Sequence, residues 1–91
     1  MRFVLYTELQ GEDALHTLRP LLAHCATLPG FEGGELLVSP AQPKLALLQS
    51  RWSVDPPALE VEGARSWSFQ VIESLGQEIG QEITAAGRPP G

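Results

Sequence analysis

Residues 2–9 (Arg-Phe-Val-Leu-Tyr-Thr-Glu-Leu) alternate as an extended strand would. Phe3, Leu5, Thr7 and Leu9 fall on one face, Val4 and Tyr6 on the other. Apolar groups on both faces predict a central strand covered on both sides. The period then changes. After Gly11-Glu12-Asp13, whose acids suit the positive end of a helix dipole, Ala14, Leu15, Leu18, Leu21, Leu22, Cys25 and Leu28 recur at helical spacing. They occupy a stripe of roughly 140° on a helical wheel. Pro20 interrupts this helix on its polar side, where water can satisfy the carbonyl that the missing N–H frees, and predicts a bend. Leu28-Pro29-Gly30 stops it, since proline cannot continue the ladder and glycine tolerates a tight reversal.

Two strands follow, 32–39 and 44–53, on either side of the short loop Pro40-Ala41-Gln42-Pro43. A proline-bounded loop of this length predicts an antiparallel hairpin. Asp55-Pro56-Pro57 and Gly63 break the chain again. Residues 66–73 alternate Trp67, Phe69 and Val71 against Ser66, Ser68 and Gln70, as a strand does. Ala64, Trp67, Val71, Leu75, Ile79 and Ile83 also fit a helical stripe, so the sequence leaves two readings open over 66–79. The aromatic, β-branched and serine residues across 66–72 favour the strand. The pattern thus predicts one domain over residues 1–75 and a tail over 76–91, in which Ile79 and Ile83 are placed to dock on another surface.

Composition narrows the function classes. Of 91 residues, 43% are hydrophobic and 19% charged, which suits a single modest core. Eleven acids against six bases give a formal charge of −5, and the bases (Arg2, Arg19, Lys44, Arg51, Arg65 and Arg88) are scattered. A nucleic-acid binder would carry a basic patch, so none is expected as a partner. No apolar run approaches the ~20 residues that span a bilayer, and the N-terminus lacks the long apolar region of a secretion signal. Cys25, the only cysteine, excludes an internal disulfide framework and a multi-cysteine metal site. The expectation is a cytoplasmic protein that associates with no membrane.

One stretch is more specific. Leu28-Pro29-Gly30-Phe31-Glu32-Gly33-Gly34-Glu35-Leu36-Leu37, followed by Leu47-Leu48-Gln49-Ser50-Arg51-Trp52, resembles the antibiotic biosynthesis monooxygenase domain family. Members share a Pro-Gly-Phe turn after the first helix and a third strand ending near Arg-Trp. The resemblance covers residues 2–54. It implies an α+β, ferredoxin-like antiparallel sheet that pairs with a second copy as a dimeric α/β barrel, with a pocket between sheet and helices. Beyond Val54 the chain departs from the pattern. Family members place a second helix there, but the twelve residues Asp55–Ser66 include two prolines and a glycine, with room for one helical turn. The expected architecture is one main helix and a shortened second half. A half-size sheet with one helix also leaves an apolar face that a second copy would bury.

The residues themselves carry little chemistry. The haem-degrading branch of the family uses an Asn, a His and a Trp, and this chain has no asparagine. His16 and His24 lie off the apolar stripe, roughly 80° apart on the wheel, which is poor geometry for a shared metal. Their simplest role is solvated surface. Cys25 falls inside the stripe and reads as a small buried hydrophobe. Gly30, Gly33 and Gly34 precede a strand, whereas a phosphate loop opens a helix. Glu60 and Glu62 alternate with Leu59 and Val61 as solvated positions. No catalytic residue, metal ligand or cofactor is assigned.

The aromatic and polar residues near the strands are the remaining candidates. Trp52 shares a face with Ala46, Leu48 and Ser50 and is expected beneath the helix. Gln49 and Arg51 then point to the opposite, inter-subunit face, where Arg51 needs an acceptor: an acid from the partner chain, or an anionic or phenolic ligand. Tyr6, Trp67 and Phe69 are placed either to pack or to line a pocket for a small flat aromatic. Tyr6, Gln49, Arg51, Trp67 and Phe69 are therefore the candidate substrate-binding residues. The leading expectation is a non-catalytic dimeric binding or assembly module. The alternative is a cofactor-independent monooxygenase acting on a small aromatic.

Overall fold

The structure, a computed structural model, describes residues 1–76. Five elements form in the predicted order: β1 (Phe3–Gln10), α1 (Ala14–Cys25), β2 (Phe31–Ser39), β3 (Gln42–Trp52) and β4 (Arg65–Gln70). The strands make one four-stranded sheet in the order β2-β3-β1-β4. Every neighbouring pair is antiparallel, so β1 and β2 run parallel with β3 between them. The fold is α+β, with α1 laid on one face of the sheet. β1 is central, as its two-sided apolar pattern requires.

The apolar stripe of α1 meets the strand residues of matching parity. Ala14, Leu18 and Cys25 are buried with Leu5, Ala46, Leu48 and Trp52. Leu15, Leu21, Leu22 and Leu28 pack around them, half-buried. Trp52 has no exposed surface and Phe31 meets its ring edge-on at 5.4 Å. The indole N–H of Trp52 donates to Ser50 Oγ at 2.9 Å, and the Ser50 hydroxyl donates to the Leu5 carbonyl at 3.4 Å. Two buried polar groups are thereby satisfied inside the core layer.

Helix boundaries differ slightly from the sequence expectation. α1 starts at Ala14, so Glu12 and Asp13 precede its first turn. The Asp13 carbonyl accepts from the Thr17 amide at 2.8 Å, while Glu12 reaches across to Lys44 at 2.9 Å. The helix closes at Cys25, three residues before Leu28. Thr27 donates through both its amide and its hydroxyl to the His24 carbonyl, at 3.0 and 2.7 Å, and this ends the helical ladder before Pro29 is reached. Pro20 lies within α1 on its exposed side.

The hairpin turn is shorter than expected. Pro40 and Ala41 form it, and β3 already contains Gln42 and Pro43. A register shift between Val38 and Ser39 creates an irregularity there, and a proline is tolerated at such a strand start because its missing N–H breaks no regular ladder bond. The Asp55–Ala64 connection holds no helix, not even one turn. It runs without regular structure until a turn at Glu62-Gly63, and Leu59 tucks half-buried against the core. Residues 65–70 are strand, so the β-prone composition prevails over the helical stripe there. The strand ends at Gln70, three residues earlier than the alternation predicts, with one further bond from the Val71 amide to the Arg2 carbonyl at 2.8 Å. Ile79 and Ile83 lie outside the described residues.

Candidate functional site

Directly opposed residues of an antiparallel sheet share a face, so the register decides what stands together. On the face away from α1, one row across the sheet runs Glu35, Gln49, Tyr6, Trp67. The adjacent row runs Gly33, Arg51, Val4, Phe69. All five candidates, Tyr6, Gln49, Arg51, Trp67 and Phe69, therefore lie in two neighbouring rows of this open face. The next row adds Leu37 and Leu47, extending an apolar surface that no element of the described chain covers.

Within these rows the side chains contact along diagonals. Tyr6 and Phe69 meet edge-to-face at 5.8 Å and 70°, a favourable arrangement for two ring quadrupoles. The Arg65 guanidinium lies 5.5 Å from the Trp67 ring centre and 3.7 Å from Glu8. Arg51 Nη1 donates to both carboxylate oxygens of Glu35, at 2.8 and 3.0 Å. This corrects the expectation that Arg51 would need an acid from a partner chain or a ligand: β2 supplies it one strand away. The sequence reading missed Glu35 because a bulge between Phe31 and Gly33 sets the parity of β2, and no alternation pattern announces it.

Gly33 is part of the same device. Its φ of 152° is a conformation that side chains disfavour, and the space a Cβ would fill is taken by the Arg51 guanidinium. Glycine here lets the arginine lie flat over the β2 backbone and reach Glu35.

At the end of the sheet where β1 begins and β4 ends, an open concavity of about 610 Å³ is lined by Val4, Tyr6 and Phe69 and by the segment Gln70–Glu73. Two of the five candidates line it. Gln49, Arg51 and Trp67 share the face but stand outside the concavity. The space beneath α1 is filled by Leu18, Cys25, Leu48 and Trp52, each without exposed surface.

The groups with chemical potential stand elsewhere. His16 and His24 are exposed on α1, on the far side of the sheet from Tyr6. Cys25 is buried under the helix, where burial pushes its thiol above the ordinary value of 9.0 and keeps it protonated. Glu60 and Glu62 are exposed, alternating with the half-buried Leu59 and Val61. Among the described residues no three His, Cys, Asp or Glu side chains gather as a metal site would need. No helix there is long and apolar enough to cross a membrane.

β4 has an asymmetry that bears directly on use. Ser66, Ser68 and Gln70 face the helix side, where they are exposed and no described element covers them. Ser66 donates to Thr7 Oγ1 at 3.2 Å. Trp67 and Phe69 take the open face, 43% and 55% exposed. Among the described residues the open face is thus apolar, with its charges paired within the chain. No protein-family model matches the chain, and no curated protein or solved structure matches it.

Proposed function

We propose that this chain is a non-catalytic binding and assembly module, similar to the antibiotic biosynthesis monooxygenase domain, which pairs with a second copy through its open sheet face. The observation that carries the reading is the polarity of β4. Its apolar side chains point away from α1, the one helix among the described residues, and its polar ones point to the side where a second helix would lie. A strand built to be buried on the helix side would have the opposite pattern. The strand order β4-β1-β3-β2, with β1-α1-β2 split around β3, supports the ferredoxin-like half of the reading. Sheet-to-sheet pairing of two such halves is the dimeric barrel that the resemblance over residues 28–52 implies. A single buried, protonated thiol suits a cytoplasmic setting.

Charge supports a second copy as the partner. The chain carries −5 overall, yet the open rows hold two acids and two bases, Glu35 with Arg51 and Glu8 with Arg65, paired within the chain. Two such faces meet without an unpaired charge between them.

Light scattering at micromolar concentration tests this. The expected mass is twice 9.9 kDa, and Phe69→Asp, which changes an exposed side chain, is expected to return the monomer with an unaltered circular dichroism spectrum. A wild-type monomer would refute the reading. The concavity beside Tyr6 and Phe69 favours a second reading, cofactor-free oxygenation of a small aromatic. Oxygen uptake with a quinol or phenol, lost in Tyr6→Phe, would replace the first reading with that one.

A further inference from the structure

We draw no further inference here: the strongest candidate, the open concavity at the end of the sheet lined by Val4, Tyr6, Phe69 and residues 70–73, belongs to the open face already described, and nothing in the structure shows what covers it.

Discussion

At the scale of single residues, the arrangement that most constrains this small core is the chain of polar contacts from Trp52 through Ser50 to Leu5. An indole N–H has one donor and needs one acceptor when no water reaches it. Ser50 Oγ is that acceptor, and both residues have no exposed surface. Ser50→Ala keeps the volume nearly constant but leaves the N–H unsatisfied, which costs about 1–3 kcal/mol. Removing the donor as well should relieve that penalty. Ser50→Ala is therefore expected to cost less in a Trp52→Phe background than in wild type, with a coupling of about 1 kcal/mol from chemical denaturation of the four proteins. Equal costs in both backgrounds would show that the indole has another acceptor. The helix-side position of Trp52 was legible from its parity with Ala46 and Leu48. The partner of Arg51 was not, because it depends on the Gly33 bulge and on the space a missing Cβ leaves.

At the scale of elements, α1 is written by its stripe but weakened by one residue. Pro20 is the seventh of twelve helical residues and exposed. It withholds the N–H that would bond the His16 carbonyl, and an interior proline costs a helix about 3 kcal/mol. Part of that is offset by the stiffness proline gives the unfolded chain. Pro20→Ala is expected to stabilise the protein by about 1–2 kcal/mol, raising the melting temperature by several degrees at fixed protein concentration. An unchanged melting temperature would show that Pro20 costs the helix nothing in this setting. β1 was legible for a similar reason: its alternation has one clear period. The ends were less so, because capping bonds such as Thr27 to the His24 carbonyl decide where a helix stops. β4 could be read as a strand only through its local composition, since its apolar spacing serves either period. Which way its aromatic side would point was set by the register with β1, where Trp67 meets Tyr6 and Ser68 meets Leu5.

At the scale of the whole molecule, charge and apolar surface are distributed unequally, and the inequality makes a prediction about association. Much of the net charge of −5 arises away from the open rows, at exposed positions such as Asp13, Asp55, Glu60 and Glu62. Two copies docking through these faces as proposed would bring two acidic bodies together, and their long-range repulsion would be the electrostatic term opposing the proposed dimer. Salt screens charges farther apart than about 8–10 Å at ordinary ionic strength, and it strengthens rather than weakens the burial of apolar surface. A dimer held by Val4, Tyr6, Trp67 and Phe69 should therefore tighten, by a few-fold, between about 50 mM and about 500 mM sodium chloride. An interface held by ion pairs between chains, such as Arg51 reaching a partner's acid, would weaken over the same range. Sedimentation equilibrium across the salt series separates the two, and a dissociation constant that rises with salt would mean that Arg51 exchanges Glu35 for a carboxylate of the other copy when the faces meet.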